Sequence, residues 1–180
     1  MDYNLQRICY SGYTRHHDLK YSGVMSPCGI FVNMDGPWPG SFHDSHMFKD
    51  SGLANQMDTS EIFSPVGQRP FHFYGDQAYP SGAHVIAQFK GNNLTIEQER
   101  VNAIMSKLRI SVEWGFGIIS RLFAFTEFGH NQKLGLQPVG VYFRVAPIFT
   151  NIHTCMNGGN IVSGFFHCEP PSVEKYLGHH

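Results

Sequence analysis

An aspartate at the end of an aromatic run and a glutamate on the polar flank of a long helical segment are the two side chains here best suited to phosphate-ester chemistry. The aspartate is Asp76, in F-H-F-Y-G-D-Q-A-Y-P from Phe71 to Pro80, and the glutamate is Glu113. Carboxylates brought side by side bind hard divalent cations such as Mg²⁺ or Mn²⁺, which keep several waters and accept phosphate oxygens. Two such ions about 3.5 to 4 Å apart activate an attacking water or 3′-hydroxyl and stabilise the leaving oxygen of a phosphodiester. The plainer alternative for Asp76 is a turn-former, since Asp accepts hydrogen bonds from the backbone just beyond it. For Glu113 it is a solvated ion pair with Arg109 one turn earlier, worth about 0.2 to 0.5 kcal/mol.

The elements that must position these groups can be read from pattern. The uncharged aromatics of 71–75 favour a buried strand, and Gly75 allows the turn after it. Thr95 and Gln98 form a capping box at the start of a helix expected over Thr95–Phe123. Val101, Met105, Leu108, Val112, Ile119 and Leu122 recur at helical spacing and predict its buried stripe. Beside them Asn102, Ser106, Arg109 and Glu113 form a polar stripe facing a groove edge. Upstream, 19–25 and 30–34 read as strands joined by a hairpin turn at Ser26-Pro27-Cys28-Gly29. Gly36-Pro37-Trp38-Pro39-Gly40 reads as loop, because its prolines and glycines suit neither helix nor ladder. A helix is expected over 44–57, capped by Ser41 or Asp44, then a polar linker over 58–69 and a turn at 79–82. Residues 1–9 show no convincing element. The run 139–152 reads as helix or strand, with Pro147 opposing an uninterrupted helix, and 169–180 reads as an extended tail.

Composition bounds the function classes. At 180 residues with 42% hydrophobic content the chain suits one domain with a real core. A formal net charge of −1 gives no broad basic field, so nucleic-acid binding would rest on a local basic groove or a partner protein. Arg15, His16, His17 and Lys20 form a small basic cluster, either a solvated loop or a phosphate-contacting edge. The four cysteines lack C-x-x-C spacing and read as reduced intracellular thiols. His43 with His46, and His153 and Cys155 with His167 and Cys168, are weak metal-ligand sets that fit no common zinc spacing. No apolar run approaches the ~20 residues of a membrane span, and the N-terminus lacks a signal-peptide layout.

Four blocks in order carry a resemblance: Y-S-G-Y-T-R-H-H-D-L-K-Y at 10–21, G-P-W-P-G-S-F-H-D-S at 36–45, Y-G-D-Q-A-Y-P at 74–80 and R-I-S-V-E-W-G-F-G at 109–117. Together they resemble the nuclease domain of PIF/Harbinger transposases, the DDE superfamily endonucleases also labelled DDE Tnp4, over 10–150 with 151–180 as a C-terminal tail. The resemblance implies an α/β, ribonuclease-H-like mixed sheet flanked by helices and Mg²⁺- or Mn²⁺-dependent DNA cleavage and strand transfer. It implies Asp76 and Glu113 as catalytic carboxylates, and Asp44, Asp76 and Glu113 as metal ligands. Arg15, His17, Lys20 and Arg109 are the candidate DNA-phosphate contacts. DNA is the implied partner, a Myb-like protein often supplies DNA contact in such systems, and the implied compartment is the nucleus. The family's first catalytic Asp lies in a D-G-T block upstream of Y-S-G, and this chain has none: Asp2 is followed by Tyr-Asn. The expectation is therefore a sheet lacking its first strand and a weakened metal site, through a late start or decay of the copy. A catalytically dead, domesticated or decayed remnant acting as a protein/DNA interaction module is the alternative.

Overall fold

A computed structural model describes residues 7–12, 15–59, 71–79, 81–126 and 139–178. The expectations for residues 1–6 and for most of the 58–69 linker lie outside these. The described chain is mixed α/β, with three two-stranded sheets. Antiparallel β1 (Tyr10–Ser11) and β2 (His16–His17) come first, then antiparallel β3 (Leu19–Met25) and β4 (Phe31–Pro39). Helices α1 (Asp44–Asp50) and α2 (Leu53–Thr59) precede the parallel pair β5 (Phe73–Gly75) and β6 (Val85–Ala87). Helix α3 (Ile96–Leu122), a short 3-10 turn (Ala124–Thr126), α4 (Val139–Met156), α5 (Ile161–Phe166) and α6 (Val173–Tyr176) complete it. Two compact units divide the chain: Met1–Gly40 with Ser111–His180, and Ser41–Ile110.

In the first unit the core gathers Phe31, Ile119 and Ala146, with Met25, Met34, Phe116, Phe123 and Phe143 packed around them. Gly115 explains the break in the apolar stripe of α3. A Cβ there would lie 2.3 Å from Met25 Cε and 2.8 Å from Phe31 Cζ, so the β3–β4 hairpin packs directly on the helix backbone. Buried Met105, Ser111, Ile118 and Ile119 mark the covered face of α3, whereas Val101 and Leu122, expected in the stripe, are exposed at its ends.

The hairpin turn forms where the sequence places it, with Gly29 at φ +80° and its N–H bonded to Ser26 O. The expected loop over 36–40 is instead the end of β4. Lys20 pairs with Trp38 and Ser22 with Asp35, so β4 carries one extra residue where Gly36 and Pro37 fall, and that bulge lets the ladder resume. Trp38 Nε1 donates to Asp35 Oδ2 across it at 2.6 Å.

Pro147 does not interrupt α4. The helix runs through it, because Pro147 is buried on the face that also carries Ala146, Thr150, Asn151 and Thr154. Packing on that face outweighs the missing backbone bond. Asn151 ties α4 to β4: its Oδ1 accepts from Phe31 N and its Nδ2 donates to Phe31 O, both at 2.9 Å. Asn160 Nδ2 donates to Gly29 O, while its Oδ1 caps α5 by accepting from Val162 N and Ser163 N. The expected extended tail contains α6, capped by Ser172 and held where Asn151 Nδ2 donates to the Tyr176 hydroxyl. Tyr21 stacks on Phe143 with ring centroids 4.5 Å apart, and burial pushes its phenol up to about 12.

In the second unit the helix expected over 44–57 is two. Ser51 ends α1, and Gly52 at φ +70° turns the chain into α2, a conformation glycine adopts without steric cost. Met47, Leu53, Met57, Val85, Ala87 and Met105 are buried in this unit. The aromatic run of β5 is less covered than its composition suggests: Phe71 and Tyr74 are exposed, and Gly75 is the buried member. Strand β6 has no signal beyond three apolar residues, and its parallel pairing with β5 was not legible.

Candidate functional site

Asp76 is the first residue after β5, at the strand's carboxyl end. Gly75 sets the approach: a Cβ there would lie 2.9 Å from Tyr79 Cβ and 3.0 Å from Val85 Cγ1, so the returning turn lies against the strand. Asp76 Oδ1 accepts from Ala78 N at 2.8 Å and Asp76 O accepts from Tyr79 N at 3.2 Å, which is the turn-forming role. The other carboxylate oxygen, Oδ2, stands 3.5 Å from Arg109 Nη1. Arg109 Nε is buried with no hydrogen-bond partner among the described residues.

The polar stripe of α3 explains that contact. The capping box forms as expected, with Thr95 N donating to Gln98 Oε1 and Gln98 N to Thr95 Oγ1. From this start, Asn102, Ser106 and Arg109 follow one another along one flank. Asn102 Oδ1 accepts from Phe89 N at 2.9 Å and its Nδ2 donates to Phe89 O at 3.1 Å. Gln88 Nε2 donates to Ser106 Oγ at 2.6 Å and to Asn102 O at 3.2 Å. The flank therefore holds the continuation of β6 through Asn102 and Ser106, and the end of β5 through Arg109. Spacing located the stripe; its partners Gln88 and Phe89, distant in sequence and unremarkable in type, were missed.

Glu113, next along that flank, is exposed on the part of α3 belonging to the other unit. Asp44 is the first residue of α1, where a carboxylate suits the positive end of the helix dipole. The cap itself is neither Ser41 nor Asp44 but His43, whose carbonyl accepts from Met47 N and whose side chain makes no capping bond. His46 lies 3.6 Å from Asp50, one turn on.

The basic candidates divide between the two units. Arg15 is exposed at the tip between β1 and β2 at φ +57°, and His17 is exposed with Tyr10 edge-on at 5.5 Å. Lys20 is half-buried in β3 opposite Trp38. Arg109 belongs with Asp76.

Among the described residues no group of three His, Cys, Asp or Glu side chains is placed to hold a metal ion. At Asp76 a guanidinium already stands beside the oxygen a cation would take. As placed, the described residues do not fit a divalent ion. Among the described residues no helix is long and apolar enough to cross a membrane.

No curated protein and no solved structure matches the chain. The profile of the DDE superfamily endonucleases matches residues 2–151, a span that holds Asp44, Asp76, Arg109 and Glu113. With most of its length covered by that profile, the chain belongs to the DDE superfamily endonuclease family.

Proposed function

We propose that the chain is a PIF/Harbinger-type DNA-cleaving domain that works on backbone phosphodiesters, with Asp76 and Glu113 as its catalytic carboxylates and Asp44, Asp76 and Glu113 as ligands for Mg²⁺ or Mn²⁺, a role that requires Arg109 to leave Asp76 Oδ2. The observation that carries the reading is Asp76 at the carboxyl end of a parallel strand, inside the span matched by the endonuclease family. In α/β proteins the carboxyl ends of parallel strands are where ligands are met. A ribonuclease-H-like mixed sheet flanked by helices is the arrangement this reading assigns, with 10–150 as the nuclease domain. Arg15, His17, Lys20 and Arg109 are assigned to DNA phosphates, a Myb-like partner to target recognition, and the nucleus to the site of action. The test is nicking of supercoiled DNA with Mg²⁺ or Mn²⁺. The chain nicks, and Asp76→Asn and Glu113→Gln do not; variants that nick as fast as the parent overturn the assignment.

A second reading, a non-catalytic protein/DNA interaction module, is favoured by one observation: both oxygens of Asp76 are engaged within the chain, by Ala78 N and by Arg109. It requires that Mn²⁺ leave the thermal unfolding midpoint unmoved and that Glu113→Gln change neither stability nor DNA retention.

A further inference from the structure

Three residues beyond Asp76, in the Ser41–Ile110 unit, Tyr79, Ser81, Ala87, Gln88, Phe89 and Lys90 line a cavity of about 360 Å³. We propose that this cavity seats one unpaired nucleotide of a DNA strand. The proposal rests on reading the chain as a DNA-acting domain, and its test separates the two.

Size comes first. The volume is at the low end of the roughly 300 to 1,000 Å³ of small-ligand pockets, enough for one nucleotide. Chemistry comes next. Tyr79 and Phe89 bring ring surface, on which a base stacks regardless of its identity. A base inside a duplex has both faces covered by its neighbours, so the stacked base must be unpaired or extruded. Lys90 adds an ammonium that attracts a backbone phosphate, and no acidic side chain is among the lining residues to repel one. Ser81 and Gln88 add groups that hydrogen-bond a base edge.

The wall is also held in place. Asn102 fixes the Phe89 backbone on both its N–H and its C=O, and Ser106 fixes the Gln88 amide. Tyr79 meets Phe48 edge-on with centroids 6.0 Å apart. Groups ordered before the ligand arrives lose little freedom when it binds. Phe89 is 43% exposed, so an incoming strand reaches it without displacing other side chains.

The experiment uses the full chain and a single-stranded oligonucleotide carrying 2-aminopurine, whose fluorescence is quenched by stacking, with the same sequence as a duplex for comparison. The expected result is quenching and tighter binding with the single strand. Phe89→Ala removes the quenching and weakens binding by about tenfold or more. Lys90→Gln, at an exposed position away from the core, weakens binding and lowers the slope of log affinity against log salt by about 0.7. Circular dichroism and the unfolding midpoint confirm that each variant is folded, and Lys90→Gln carries the test if Phe89→Ala is not. Absence of quenching by the parent chain, tighter binding to the duplex, or a folded Phe89→Ala that binds and quenches unchanged overturns the proposal. Quenching by a chain that never nicks DNA leaves the pocket standing and removes the cleavage reading; nicking without quenching does the opposite.

Discussion

Arg109 Nη1 stands 3.5 Å from Asp76 Oδ2, so the carboxylate that ends β5 receives its counter-charge from α3. Side-chain exposures of 37% for Arg109 and 33% for Asp76 leave the pair screened by water, and such pairs contribute at most about 1 kcal/mol. Removing the guanidinium also removes a buried, unpartnered Nε–H. Arg109→Gln is therefore expected to move the unfolding midpoint by no more than about 4 °C. It should strengthen Mn²⁺ binding, read by calorimetric titration, because the competing charge is gone. Adding Asp76→Asn should erase that gain; unchanged or weaker Mn²⁺ binding in Arg109→Gln alone would show that the guanidinium does not compete for the carboxylate.

Asn151 and Asn102 make the same double hydrogen bond in different surroundings. Phe31 is buried, so Asn151→Ala strands an N–H and a C=O away from water, at roughly 1 to 3 kcal/mol each. Phe89 is exposed, and water replaces much of what Asn102→Ala removes, for a loss of about 0.5 to 1.5 kcal/mol. Urea unfolding of the two variants should show the larger fall in midpoint for Asn151→Ala. Equal falls would mean that the burial of Phe31 is not what sets the cost.

Two glycines of α3 predict opposite signs. At Gly115 a methyl would meet the Phe31 ring and Met25, and overpacking of this kind costs typically about 1 to 3 kcal/mol. At Gly117 nothing lies within 4 Å of an added Cβ, so Gly117→Ala gains helix propensity and loses no packing. Its expected effect is a stabilisation of about 0.4 to 1 kcal/mol. Thermal melts of the two single variants check both signs.

Tyr21 predicts an alkaline slope. Desolvation by burial pushes its phenol from 10.0 up to about 12, with Arg144 pulling weakly the other way. The folded chain keeps its proton where the unfolded chain loses it. The contribution is thus fully present below pH 10 and is lost as pH rises from about 10 to about 12. The hydroxyl has no hydrogen-bond partner among the described residues, so Tyr21→Phe should leave stability at pH 7 unchanged or higher while flattening that slope. Stability measured by denaturant across the alkaline range tests it; an unchanged slope in Tyr21→Phe would assign the titration elsewhere.

Local signals in the sequence suffice where a few neighbouring residues decide the outcome. The capping box of Thr95 and Gln98 and the Gly29 turn are such cases, each formed within four residues. Features decided by distant partners were not legible. Pro147 reads as a helix-breaker until Asn151, on the same face of α4, is seen bonded to a strand 120 positions away. Likewise Gly36 and Pro37 read as loop because the bulge that admits them depends on the register of β3. At the candidate site, spacing found the stripe of Asn102, Ser106, Arg109 and Glu113. What lies opposite the first three, namely Phe89, Gln88 and Asp76, is set by how β5 and β6 return to the helix, which no local pattern encodes.

The bracket of Asn151 on Phe31 has a consequence for counting along β4. The β3–β4 ladder slips at this point, with Val24 opposite Asn33 but Met25 opposite Phe31, so strand pairing alone does not say which residue comes next. Along a strand the N–H and C=O of one residue point to the same edge, and those of the next residue point to the other. A carboxamide that both accepts and donates fits a single residue, and a slide by one position would present it with a Cα–H in place of two polar groups. Asn151 thereby acts as a frame marker that sets the numbering of the hairpin from outside it, and a chain that loses it has a second alignment open to β4.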